Sequence, residues 1–158
     1  MGLRWVHETP PYWNADKARI VGGVDPGVFG HTFEGYAEGD LLPNDWWRVE
    51  QDEHIVGYGW MDVIWGDAEI LLAVAPEARK QGVGTYILER LEHEARARGL
   101  HYLYNVLRST HPAHDEVDAW LRQRSFTCAD DGRLHRTVVR TPVSRSQPVA
   151  LRTAPARL

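Results

Sequence analysis

Residues 69–99 constrain this chain more than any other stretch, because they read as a strand, a glycine turn and a helix in immediate succession. Residues 69–75 (Glu-Ile-Leu-Leu-Ala-Val-Ala) form a short apolar run closed by Pro76. An apolar run that a proline soon interrupts suits a buried strand better than a helix. Arg79-Lys80-Gln81-Gly82-Val83-Gly84-Thr85 follows at once. From Val83 onward Val83, Ile87, Leu91 and Ala95 recur every four residues, so they share one face of a helix that Gly99 can end in a left-handed cap. The first N–H groups of a helix have no intrahelical partner, and its dipole makes that end positive. Glycines there let an anion approach the backbone, so the turn has the chemistry of a phosphate cradle.

The rest of the composition sets outer limits. A chain of 158 residues that is 43% hydrophobic and 25% charged is expected to fold as a single domain around one core. No segment is long and apolar enough for a membrane span, and Arg4, His7 and Glu8 do not fit a secretory leader, so a cytoplasmic protein is expected. Cys128 stands alone, which rules out an internal disulfide and a cysteine-based zinc site; it is expected to be a small, half-buried hydrophobe. No metal is expected. The net charge of −4 conceals an asymmetry: residues 34–69 hold ten acids against Arg48 alone, a local charge of −9. Such a segment disfavours nucleic acid and favours cationic partners, unless it is merely a solvated surface. Residues 141–158 contain Arg145, Arg152 and Arg157, three prolines and no acid, and are expected to form a basic flexible tail behind a domain at 1–140.

Taken in order, the chain offers two first strands, one within 1–13 and one at 19–24, and the pattern does not choose between them. Residues 28–36 carry loose helical spacing broken by two glycines. Residues 46–50 and 54–65 then read as a hairpin around Gln51-Asp52-Glu53, and the second strand is apolar on both faces, as a central strand is. Gly66-Asp67 turns the chain into the strand at 69. Beyond the long helix come a strand at 100–107, a helix at 112–124 with Val117, Trp120 and Leu121 on one face, and a closing hairpin at 126–129 and 134–140. The pattern predicts an α/β fold: a mixed, mostly antiparallel sheet with helices on both faces.

The stretch 69–98 resembles the acetyl-CoA-binding motif of the GCN5-related N-acetyltransferases (GNAT superfamily). That signature is Arg or Gln, two residues, Gly, one residue, then Gly or Ala, here Arg79, Gly82 and Gly84. The likeness extends over 46–140. A dinucleotide-binding turn needs a third glycine and parallel strands, and a P-loop needs a lysine between Gly84 and Thr85, so both rivals fail. The resemblance implies a GNAT fold with acetyl-CoA as cosubstrate. It implies that main-chain groups of Leu72 and Val74 hold the pantetheine arm, that Gly82, Val83, Gly84 and Thr85 cradle the pyrophosphate, and that Arg79, Lys80 and Gln81 border it.

The chemistry implied is direct acetyl transfer from a thioester to a neutral amine, which requires a carboxylate to remove the ammonium proton. Glu69 is the first candidate and Asp62 the second. Glu69 lies one residue from the position where some members carry a catalytic glutamate, and one step along a strand reverses the face unless a bulge intervenes. The tyrosine usual in the last helix is replaced by Leu121, and the asparagine usual at that helix's start by His111 or His114. A histidine there can donate to the leaving thiolate, with a normal pKa near ~6.5. Two readings follow: an N-acetyltransferase acting on a primary amine of a cationic small molecule or protein, or a non-catalytic CoA-binding module. Trp46, Trp47, Trp60 and Trp65 are expected either to line an acceptor pocket or to sit in the core. Homodimers are common in the family, so the resemblance allows a homodimer, and the sequence leaves the oligomeric state open.

Overall fold

Seven strands form one sheet in the order β1-β2-β3-β4-β5-β7-β6. They are β1 (Arg4–Glu8), β2 (Asp45–Gln51), β3 (His54–Ile64), β4 (Asp67–Val74), β5 (Tyr102–Asn105), β6 (Thr127–Cys128) and β7 (Leu134–Thr137). Four helices accompany them: α1 (Ala15–Ile20), α2 (Pro26–Phe29), α3 (Val83–Ala97) and α4 (His114–Gln123). The computed structural model describes residues 2–138, so the basic segment at 141–158 lies outside the described residues. Every strand pair is antiparallel except β4–β5.

The two expected hairpins form as read. Asp52 and Glu53 take the left-handed conformation (φ 50° and 67°) between β2 and β3, and Trp65 and Gly66 do so between β3 and β4 (φ 54° and 83°). Gly57 and Gly59 of β3 make room for α3. A Cβ on Gly59 would stand 2.8 Å from the Trp5 ring and 3.1 Å from Ile87, and one on Gly57 3.0 Å from Ile87. The helix therefore settles onto the sheet with Val83, Ile87, Leu88, Leu91 and Ala95 buried beneath it. Trp5 stacks on Trp47 there, with ring centroids 5.5 Å apart. Gly99, at φ 72°, ends α3 as its spacing predicts.

The opposite face carries α1 over a fully buried lysine. Lys17 Nζ donates to Glu8 Oε1 at 2.5 Å and to the Tyr12 carbonyl at 2.8 Å. It also stands 5.3 Å from the Trp46 ring centre and 5.0 Å from that of Tyr58. Glu8 receives a second cation from Arg48 at 3.4 Å.

One choice left open is settled, one short helix appears, and one expectation needs correction. The first strand is β1, within 1–13; the rival segment at 19–24 is the end of α1, which Asn14 caps by accepting from Lys17 N. The loose helical spacing at 28–36 produces only the four residues of α2, stopped by Gly30 at φ 59°. Cys128 is exposed rather than half-buried, because β6 is the outermost strand of the sheet.

Candidate active site

The parallel pair β4–β5 is two residues long, Ala68 with Leu103 and Glu69 with Tyr104. Beyond it the strands part, and the Asn105 side chain bridges the gap by donating from Nδ2 to the Ile70 carbonyl at 2.9 Å. The β3–β4 register runs unbroken from Ile64 with Asp67 to Gly57 with Val74, and Ala75 N donates to Val56 O at 2.8 Å. The backbone alternation that follows turns the main-chain groups of Ile70, Leu72 and Val74 away from β3. Leu72 and Val74 thus present a strand edge that no neighbouring strand pairs with. Arg79 Nε donates to the Val74 carbonyl at 3.3 Å.

At the end of that edge the chain makes a short 3-10 turn (Pro76–Ala78) and enters α3. Lys80 and Gly82 both adopt positive φ, 62° and 86°, and Gln81 Nε2 holds the turn by donating to Glu77 O at 3.2 Å. Gly82 is the N-cap, and no side chain caps the α3 amides. The space where a Gly82 Cβ would stand is open to 4 Å, and the nearest atom to a Gly84 Cβ is Trp120 Cζ2 at 3.6 Å. The start of α3 is therefore a bare, positive helix end with a clear approach. The pattern reading missed Arg124, whose guanidinium lies 4.0 Å over the Trp120 ring and donates to Thr85 Oγ1 at 3.0 Å. It adds positive charge at the first turn, yet sits at the far end of α4, where no spacing signal ties it to Thr85.

Where the strands part, Glu69 and Asp62 face each other across β4 and β3. No bulge reverses Glu69; it is half-buried on the face away from α3. Burial pushes its carboxyl up, Asp62 pushes it further, and Arg133 and Arg108 partly offset them. Tyr104 pairs with Glu69 in register and is 8% exposed, its phenol raised by burial and then by Glu69. The same face carries a chain of aromatic contacts: Phe29 to Phe33 with centroids 5.3 Å apart, and Phe33 to Trp60 at 6.3 Å. Trp46, Trp47 and Trp60 are buried, whereas Trp65 at the hairpin tip is 97% exposed. Sequence alone did not single out Tyr104, Arg108 or the two phenylalanines.

The two histidines are unlike each other. His111 Nδ1 accepts from the Ala113 amide at 2.9 Å, which puts the proton of the neutral ring on Nε2. Burial and then His114 lower its pKa, whereas Asp25 acts the other way. His114 opens α4 and contacts Asp115 at 3.2 Å. Leu121, at the place of the usual tyrosine, is 3% exposed and belongs to the core. The acids of 34–69 do not gather in one place. Asp45 pairs with His7 and Arg98, Glu50 with Arg4 and Arg48, and Glu34 with His31. Among the described residues no cluster of three or more His, Cys, Asp or Glu can hold a metal ion, and no helix is long and apolar enough to cross a membrane.

The sequence model of the acetyltransferase (GNAT) family matches residues 10–133. The chain belongs to that family. Acetyl-CoA is the family's cosubstrate. Solved structures agree on the fold. The ribosomal-protein-S18-alanine N-acetyltransferase of Escherichia coli superposes with a TM-score of 0.55 at 15% identity, over 90% of this chain and 97% of its own. The N-acetylglutamate synthase of Neisseria gonorrhoeae, complexed with coenzyme A and N-acetyl-glutamate, gives 0.64 at 19% identity, over 87% of this chain and 36% of its own. The PaiA N-acetyltransferase of Thermoplasma acidophilum, in complex with coenzyme A, gives 0.51 at 15% identity, over 58% of this chain and 59% of its own. No curated protein matches the chain in sequence.

Proposed function

We propose that this protein is an acetyl-CoA-dependent N-acetyltransferase whose acceptor is a primary amine that arrives as a cation. The observation that carries the reading is the placement of the Glu69–Asp62 pair at the point where β4 and β5 part, beside the unpaired edge of β4 and in line with the bare start of α3.

Two features of the chain fit the cosubstrate. The main-chain groups of Leu72 and Val74 that β5 does not reach suit the amides of a pantetheine arm, which would bond them as a neighbouring strand does once Arg79 gives up the Val74 carbonyl. The amides of Val83, Gly84 and Thr85, entered past the open space at Gly82, suit a pyrophosphate, with Arg79, Lys80, Gln81 and Arg124 around it. Bound acetyl-CoA supplies an acyl group activated as a thioester.

The chain's own residues handle the protons. An ammonium cannot attack, so Glu69, with Asp62 beside it, accepts its proton directly or through a water, and the nitrogen lone pair becomes free to form the C–N bond. Burial and then Asp62 push the Glu69 carboxyl up, which makes it a stronger proton acceptor than an ordinary carboxylate. The Nε2–H of His111 is the donor available to the departing sulfur, a role the buried Leu121 cannot fill. His114 is the alternative donor, more exposed and already engaged with Asp115.

The missing tyrosine favours one competing reading, a module that binds CoA without turning it over. Release of free CoA thiol with a panel of primary amines separates the two. Turnover that collapses in Glu69→Gln and recovers with rising pH, where the free amine needs no base, supports the transferase. Tight CoA binding with no thiol release from any amine supports the module.

A further inference from the structure

The acceptor side of the site contains a cation as well as carboxylates. Arg108 lies in the loop after β5, four residues beyond Tyr104, a span the chain covers in at most about 14 Å. Tyr104 is the register partner of Glu69, so Arg108 is on the same edge of the cleft as the proposed base. Two contacts hold it there. Thr110 Oγ1 donates to the Gly27 carbonyl at 2.8 Å, which ties the loop to α2. The guanidinium lies against Gly30, its Cζ 2.9 Å and both terminal nitrogens 3.1 Å from where a Cβ would stand.

The Arg108 side chain is exposed, at the surface of this loop. No ion pair to it exists among the described residues, although its charge reaches Glu69. The other cation acting on Glu69 is already committed. Arg133 lies 4.4 Å over the Tyr104 ring and donates from Nε to Asp131 at 2.7 Å, with a second contact from Nη2 at 2.6 Å. A guanidinium with no anion partner among the described residues, close enough to act on a carboxylate pair suited to an ammonium, matches a ligand that carries both charges. Phe29, Phe33 and Trp60 run as successive ring contacts on the same face of the sheet, and the Thr110–Gly27 bond ties the loop to α2, surroundings that suit a small molecule better than an extended peptide.

We infer that the acceptor is a free amino acid, its ammonium directed to Glu69 and Asp62 and its carboxylate bound by the Arg108 guanidinium. A planar guanidinium takes a carboxylate through two parallel N–H···O bonds, which gives orientation as well as affinity. The inference rests on the transferase reading and adds the substrate class to it. It also changes the electrostatic argument: the acceptor is drawn in as a zwitterion, not as a polycation attracted by the acid-rich segment.

The test uses the full chain with acetyl-CoA and follows thiol release for α- and ω-amino acids from glycine to aminohexanoate. Each acid is paired with its own carboxamide, and a set of short peptides with amidated C-termini completes the panel. The expected result is at least one acid preferred over its amide by about tenfold or more in kcat/KM, the scale of one charge-assisted pair. Arg108→Gln removes most of that preference through the KM of the acid, and Arg108→Lys restores only part of it. Arg133→Gln, whose guanidinium is held by Asp131, moves the ratio less. Calorimetric CoA binding serves as the check that each variant is folded. Acids and amides used equally well, an Arg108→Gln variant that keeps the preference, or faster acetylation of the peptides each overturn the inference while leaving the transferase reading intact. No thiol release from any amine by a protein that binds CoA overturns both.

Discussion

Two polar regions on opposite sides of β3 answer the same problem differently. Around α1, the buried Lys17 is surrounded: Glu8, the Tyr12 carbonyl and the faces of Trp46 and Tyr58 leave it no contact with solvent. Along the β4–β5 seam, among the described residues, main-chain groups of Leu72 and Val74 are left without a strand, Glu69 is half-buried with a like charge opposite, and Arg108 has no carboxylate in an ion pair. A buried charge that is fully partnered serves the fold. Groups held in place but left unpartnered serve a ligand, and their arrangement works against stability until the ligand arrives.

The sharpest way to break this contrast is to open the closed region. Lys17→Ala leaves Glu8 with only the more distant Arg48 and should destabilise the protein by about 3–5 kcal/mol, the usual effect of stranding one member of a buried pair. Denaturant midpoints check it. CoA affinity of the molecules that remain folded should be unchanged, since the lysine lies on the face away from α3.

Glu69→Gln should do the reverse. Turnover at neutral pH falls by at least about a hundredfold, ~3 kcal/mol in transition-state stabilisation, while CoA affinity barely moves. Stability should rise slightly at neutral pH, and the sign follows from linkage. A carboxyl whose folded pKa lies above its unfolded value binds more protons in the native state, so its contribution is favourable at low pH and is lost as pH rises through the folded pKa. Removing the charge removes that loss. A melting temperature that falls in Glu69→Gln, with activity retained, would make the residue structural and dissolve the contrast.

Gly84→Glu places a negative chain at the helix end where a pyrophosphate would enter and should weaken CoA binding by roughly thirtyfold, ~2 kcal/mol by calorimetry. The smallest effect is expected at the brace. Asn105→Ala removes one hydrogen bond to Ile70 O and should lower stability by about 1 kcal/mol. Hydrogen exchange should show faster protection loss at Leu103 and Tyr104 than at β2 or β3.

The open region was the more legible of the two in the sequence. The fifteen residues of α3 give a period enough turns to show, and the glycines before it carry a specific backbone chemistry. The sequence placed Asp62 and Glu69 on the strands flanking the cleft, and their facing register came only with the fold. By contrast α1 has six residues, too few for a period, and its Ile20-Val21 ending reads as the start of a strand. The burial of Lys17 left no trace, because a lysine counts as polar wherever it sits and its partners Glu8 and Tyr58 are distant in sequence. Arg108 was silent for a similar reason: the glycine that shapes its seat, Gly30, belongs to another loop. The tautomer of His111 depends on an amide two residues away, which only coordinates supply.

The parting of β4 from β5 has a further consequence, for solubility. A strand edge with unpaired N–H and C=O groups invites pairing with any extended peptide, the hazard that outer strands carry. Here the edge is internal. Trp120 of α4 stands beside Leu72, Val74 and Gly84, and Arg79 occupies the last carbonyl. A peptide strand needs about 4.8 Å of lateral spacing plus room for side chains on both faces, and these two residues stand against that approach. An edge covered in this way is a poor template for the extended chains that a bare one would collect.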